Sequence, residues 1–262
     1  MFPYWHQQPT TKPLYSDIEW SKPEQRAHAG RLGVIGGNKL GFSGVAESYS
    51  VALNTGAGAV RALLPDALKK TIHASMTDVA YGASNPSGGL SSEARNDLLA
   101  LGEWATGVLL IGDAGRNSET AIAYEHFITE YSGILTITRD AADLLRGSSQ
   151  LLVDRPNTVL ILSFAQLQKL FQAVYYPKVL TFTMQLQQLV ETLHKFTITY
   201  PVTVGVLHKD HFAVAHGGEV VTTPWDNPMA IWRGHVAARA STYLLWNEST
   251  PLQAVATSLH TK

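Results

Sequence analysis

A chain of 262 residues suits one large α/β domain with a sizeable core better than two small domains. Its hydrophobic fraction of 45% is ordinary for a globular protein, and a net charge of -1 gives no electrostatic case for nucleic acid or an anionic membrane. The absence of cysteine excludes disulfides, thiolate metal sites and thiol nucleophiles, and fits a cytoplasmic address.

In chain order, residues 1–23 form a Pro- and aromatic-rich arm bearing Trp5, Tyr15 and Trp20, expected to pack on its own domain or on a neighbouring subunit. This N-terminus lacks the basic start and apolar centre of a signal peptide, and no apolar run approaches the roughly 18 residues of a membrane span. From residue 24 to residue 262 strand and helix alternate, with no internal repeat or low-complexity linker, so the remainder reads as one domain. The first strand, Leu32–Ile35, runs into a loop with glycines at 36, 37, 41 and 44, and a small-residue helix, Val45–Thr55, follows. Glycines there permit positive φ and close backbone approach, and the helix start offers free N–H groups to an anion. The spacing is neither the Walker pattern nor G-x-G-x-x-G. A phosphate or nucleotide cradle and a βα turn that binds nothing both remain open on spacing alone.

The further strands expected are Ala59–Leu64, Val79–Tyr81, Gly107–Ile111, Ile134–Thr138, Thr158–Leu162, Val202–Leu207 and His211–His216. The further helices expected are Ser91–Leu101, Ser118–Tyr131, Ala141–Leu145, Phe164–Phe171, Thr181–Thr197, Pro228–Leu245 and Pro251–Ser258. Short apolar strands alternating with amphipathic helices predict a parallel sheet covered on both faces. The last strand pair, turning at Lys209-Asp210, reads as an antiparallel hairpin at the sheet edge.

Few residues suggest chemistry by type and spacing. His208, His211 and His216 are close enough in sequence for a metal site, but a hairpin with alternating faces scatters such side chains, so no metal is assigned. Asp113, at the end of a strand, could hold magnesium or a ribose hydroxyl, or simply cap its turn or the helix near Ser118. Ser163 lacks the G-x-S-x-G elbow of a serine hydrolase.

The run Gly30-Arg31, Val34-Ile35-Gly36-Gly37-Asn38, Phe42-Ser43-Gly44-Val45 and Thr55-Gly56-Ala57-Gly58-Ala59-Val60 resembles the G-R-x-x-V-I-G-G-S-x-x-Y-T-G-A loop and A-G-A-G-x-V helix end of the NAD(P)H-hydrate dehydratases, members of the ribokinase-like superfamily. Weaker similarity lies at Leu110-Ile111-Gly112-Asp113-Ala114-Gly115, against I-G-P-G-L-G, and at Thr250-Pro251, against the S-P that opens a late helix. The resemblance spans residues 25 to 260 and is strong in the first third. It implies a ribokinase-like three-layer α/β/α sandwich with a mostly parallel sheet and ligands at the carboxyl ends of the strands. It also implies a carbon–oxygen lyase that uses ATP or ADP, with Mg2+, to repair hydrated NADH or NADPH, and assembly as a homo-oligomer.

Under that resemblance Gly36, Gly37, Gly44, Val45, Gly115 and Ser163 would face the hydrated dinucleotide, while His208, Lys209, Asp210, His211 and Arg233 would meet the nucleotide. The family's G-T-G-D anion hole and base fall on Trp232-Arg233-Gly234-His235, which makes Gly234 the anion-hole residue and His235 a substitute base. H-P-G-E becomes Ser163-Phe164-Ala165-Gln166, K-G-x-x-T becomes His208-Lys209-Asp210-His211-Phe212, and D-A-D becomes Thr138-Arg139-Asp140. Two expectations follow: a weakly active dehydratase working through His235, or an inactive relative that binds a nucleotide or serves as an oligomeric structural protein.

Overall fold

Sequential apolar segments that are buried on both faces must lie side by side in the middle of a layered fold, and the computed structural model shows this arrangement. It describes residues 2–72 and 76–260. The first half comprises β1 (Trp5–Gln7), α1 (Asp17–Trp20), β2 (Arg31–Gly36), α2 (Ser43–Thr55), β3 (Ala59–Pro65), β4 (Val79–Gly82), α3 (Arg95–Trp104), β5 (Gly107–Gly112) and α4 (Ser118–Glu130). Then come β6 (Ile134–Thr138), α5 (Arg139–Leu144), α6 (Ser149–Asp154), β7 (Thr158–Leu162), α7 (Phe164–Ala173) and α8 (Leu186–Thr199). The chain closes with β8 (Thr203–His208), β9 (His211–His216), β10 (Glu219–Pro224), α9 (Pro228–Trp232), α10 (His235–Leu244) and α11 (Pro251–Ser258).

The strands form one sheet in the order β1-β10-β9-β8-β7-β6-β5-β2-β3-β4, in which β9 alone among the described strands runs against the others. From β2 the chain steps outward through β3 and β4, then returns to the other side of β2 with β5 and continues outward through β6, β7 and β8. The order therefore reverses between β2 and β5, and in open parallel sheets ligands bind in the crevice that this reversal opens at the carboxyl ends. α2, α10 and α11 pack on one face of the sheet through Val45, Tyr49, Val236, Leu244 and Val255. α3, α4, α7 and α8 cover the other through Leu98, Phe127, Leu167, Leu193 and Phe196.

Local chemistry explains the departures from the expected elements. The helix expected over Pro228–Leu245 is broken at Arg233–Gly234, because Gly234 takes a left-handed φ of +86° and ends α9 before α10 begins. The helix expected from Thr181 begins at Leu186, where Gln185 and Gln188 make a reciprocal capping box. The hairpin of β8 and β9 is antiparallel as expected but does not form the sheet edge. Gly217 and Gly218, both at positive φ, turn the chain into β10, and the arm adds β1 beyond it in parallel.

The arm is anchored by one buried side chain. Gln8, 1% exposed, donates from Nε2 to the Ala256 carbonyl at 2.8 Å and to Thr223 Oγ1 at 3.2 Å, and its Oε1 accepts from Leu14 N at 3.1 Å. Gln8→Ala strands these groups without water. It should cost about 1–3 kcal/mol of stability, read as a lower denaturant midpoint; an unchanged midpoint would show that the arm contributes nothing to the fold.

Candidate functional site

The site is built where β2 and β5 part. Gly37 N donates to the Gly112 carbonyl at 2.7 Å. A Cβ on Gly36 would lie 2.1 Å from that same carbonyl oxygen, so glycine is required for the two loops to meet. The loop after β2 delivers the chain to the first turn of α2, and the loop after β5 delivers Asp113 beside it.

Asp113 caps neither its own turn nor α4, whose cap is Asn117. Its Oδ2 accepts from Gly44 N, in the first turn of α2, at 2.6 Å, and its Oδ1 accepts from Arg139 Nη2 at 2.5 Å. The anion position at the start of α2 is thus taken by the protein's own carboxylate, held against a guanidinium. Asp140 fixes the loop from behind, accepting the amides of Asp113 at 2.7 Å and Ala114 at 3.0 Å. Both Asp113 and Arg139 adopt φ of +55°, a left-handed conformation that non-glycine residues rarely take and that clusters at functional sites. Beneath them the Tyr124 hydroxyl is buried without a partner, and burial, then Asp140 and Asp113, push its ionisation up.

α10 presents the other wall. Gly234 packs so closely that a Cβ there would stand 2.3 Å from Ile111 Cδ1 and 3.0 Å from Ser48 Oγ. No side chain caps α10, and the amides of His235, Val236 and Ala237 meet no acceptor among the described residues. The Ser48 hydroxyl, fully buried on α2 opposite Gly234, is also without a partner. The unpaired amides of this ten-residue helix start suit a phosphoryl oxygen in charge. His235 is the first residue of α10, and its Nε2 donates to Glu47 Oε2 on α2 at 2.6 Å. A carboxylate on one ring nitrogen fixes the tautomer and leaves Nδ1 as an acceptor.

Beside Arg139 an open cleft of about 160 Å³ runs along the carboxyl ends of β6 and β7 to α9, lined by Thr138, Arg139, Ser163, Phe164, Ile231 and Trp232 among others. Ser163 begins α7 through a capping box with Gln166, whose Nε2 also donates to the Arg139 carbonyl at 2.6 Å. Trp232 stands 62% exposed at the cleft rim rather than filling the α10 start.

The sequence candidates divide accordingly. Gly36, Gly37, Gly44, Val45, Gly115, Ser163, Gly234 and His235 gather at the carboxyl edge, Val45 with its side chain buried against the sheet. The β8–β9 turn is organised differently: His208 Nε2 and Lys209 Nζ both donate to the Met184 carbonyl, at 2.8 Å and 3.0 Å, and His211 donates to the Asp210 carboxylate at 2.9 Å. Arg233 is the C-cap of α9, one residue before the α10 glycine. Glu47, Ser48 and Arg139 are additions that sequence reasoning missed, since only the packing of α2 on α10 and of the β6 end on α2 brings them in.

His216 is separate from the site, bonded through Nδ1 to Thr203 Oγ1 at 2.9 Å. Burial holds its imidazole below the usual range. The unfolded chain therefore takes up this proton first, so the stability present above about pH 6.5 declines as pH falls through the window below it. His216→Gln should flatten the slope of denaturant midpoint against pH in that window; an unchanged slope would remove His216 from the pH dependence.

The sequence matches no family model and no curated protein. Solved structures do match. A ribokinase-like superfamily protein from Enterococcus faecalis aligns with a TM-score of 0.74 at 16% identity, over 99% of this chain and 87% of its own. An ADP/ATP-dependent NAD(P)H-hydrate dehydratase from Bacillus subtilis, co-crystallised with ATP and Mg2+, aligns with a TM-score of 0.61 at 11% identity, over 95% and 86%. A hydroxyethylthiazole kinase protein from Pyrococcus horikoshii aligns with a TM-score of 0.60 at 15% identity, over 93% and 81%. The chain has the ribokinase-like fold, a three-layer α/β sandwich on a mostly parallel sheet.

Proposed function

We propose that this ribokinase-like chain binds a nucleotide at the carboxyl edge of its sheet and acts as an ATP- or ADP-dependent NAD(P)H-hydrate dehydratase, a carbon–oxygen lyase. The observation that carries this reading is the start of α10, where three amides and the Ser48 hydroxyl lack acceptors beside a His235–Glu47 pair. The amides and the helix dipole hold a phosphoryl group and stabilise the charge that develops on it. Gly234 lets α10 start directly against Ile111 and Ser48, and Arg233 adds positive charge one residue upstream. Glu47 holds His235 in one tautomer, and Nδ1 takes the proton from the hydrate's hydroxyl. The glycine loop at 36–44 and Ser163 form the wall on the dinucleotide side.

When bound, the nucleotide supplies the phosphoryl group that turns the hydroxyl into a leaving group. Among the described residues no three His, Cys, Asp or Glu side chains converge on one point, so Mg2+ arrives with the nucleotide phosphates. Incubation with hydrated NADH and ATP or ADP should restore the near-ultraviolet absorbance of reduced nicotinamide. Recovery no faster than without protein would contradict the lyase reading.

One observation favours a second reading, nucleotide binding without turnover. Lys209, the lysine of the degraded K-G-x-x-T motif, is spent on the Met184 carbonyl together with His208. That reading requires a rise in melting temperature with ATP or ADP by mass action while the absorbance assay stays silent.

A further inference from the structure

We infer that Arg139 is an anion receptor for a phosphate-bearing ligand, and that Asp113 is a built-in carboxylate which the ligand must displace from it; this rests on the reading of the carboxyl edge as an anion-binding crevice. Arg139 enters the cleft from the first residue of α5, where no motif places a cation. Its guanidinium lies over the start of α2, so close that a Cβ on Gly44 would stand 1.8 Å from Nη1. Gly44 and Ser48 are one helical turn apart on α2, and Ser48 faces Gly234 at the α10 start. The guanidinium and the unpaired α10 amides therefore border the same stretch of α2, about one turn, roughly 5 Å, apart. That separation lets one di- or triphosphate touch both.

The guanidinium has capacity to spare. Among the described residues its one hydrogen bond is that from Nη2 to Asp113, of the five N–H donors an arginine carries. Arg155, by contrast, spends its donors on the carbonyls of Tyr131, Gly133 and Pro156 and on Thr158. Asp113 in turn accepts from a helix-start amide and a guanidinium, the two kinds of donor that phosphoryl oxygens seek. It imitates the ligand. A phosphate cannot share the position, because the carboxylate repels it, so binding exchanges one anion for the other on Arg139. Asp140 and Gln166 hold the backbones of the two residues from either side, which keeps the guanidinium in place when the carboxylate leaves.

Inorganic pyrophosphate, titrated calorimetrically at fixed ionic strength, tests the exchange. Arg139→Gln should weaken binding by about 10–100-fold, the worth of a charged hydrogen bond or two. Asp113→Asn keeps an oxygen for the Gly44 amide but removes the competing charge, and should tighten binding by about tenfold. Equal affinity in wild type and a folded Arg139→Gln overturns the inference, as does an Asp113→Asn protein that melts like wild type and binds no better. Should Asp113→Asn fail to fold, the arginine arm decides alone. These outcomes are independent of turnover: the lyase reading can fail in the absorbance assay while Arg139 still governs pyrophosphate, and the reverse can also hold.

Discussion

His235→Ala should lower the rate of hydrate dehydration by about 10²–10⁴-fold while leaving the melting shift with ADP in place, because it removes the base and leaves the α10 amides untouched. The His235 ring is set by its 2.6 Å bond to Glu47, a contact 188 residues away in sequence. Glu47→Gln should therefore reduce kcat by about tenfold or more with little change in KM for the nucleotide, the mark of lost positioning rather than lost binding. His235→Asp supplies a shorter base at the same helix start and should retain more activity than His235→Ala. Equal rates in wild type and His235→Ala would remove His235 from the chemistry. Equal KM increases in all three variants would instead assign the pair a purely structural role.

The second large effect is on folding. Gly234→Ala forces a left-handed φ of +86° on an alanine and sets its Cβ 2.3 Å from Ile111 Cδ1. Backbone strain of about 1–2 kcal/mol and overpacking of about 1–3 kcal/mol act together, so a loss of about 3 kcal/mol is expected. In a domain of this size that lowers Tm by about 6–12 °C. Gly41→Ala is the matched control, since nothing lies within 4 Å of a Cβ there, and it should stay within about 0.5 kcal/mol of wild type. A Gly234→Ala protein as stable as the control would show that the α9–α10 turn relaxes freely and places His235 less firmly than the structure implies.

Most of the sheet was legible from sequence because its central strands are short, mostly apolar and separated by helical patterns. β2 and β5 to β7 announce themselves in this way. β10 escaped detection although Gly217-Gly218 followed by the β-branched run Val220-Val221-Thr222-Thr223 is a hairpin signal. β1 has three residues and is a strand only because β10 offers it an edge, a tertiary effect that no local pattern carries. The break at Gly234 was hidden because Met229, Trp232 and Val236 keep a helical period across it.

The glycine loop was legible in the same way, but its state was not. Sequence shows Gly44 opening a helix and Asp113 ending a strand, 69 residues apart. Their hydrogen bond exists because β5 returns beside β2, so the internal anion is a product of topology. The same holds for the Glu47–His235 pair and for the place of Arg139. The β8–β9 turn shows the opposite case, a sequence match whose Lys209 side chain is committed to structure.

The proposed chemistry depends on a phosphate bound at the α10 start. A crystal of the protein soaked with ADP and Mg2+ would show whether it is there. The terminal phosphate should lie within hydrogen-bond distance of the His235, Val236 and Ala237 amides, with the His235–Glu47 pair alongside. ADP bound elsewhere with that helix start empty, or no ADP bound at a concentration that saturates solution binding, would contradict it.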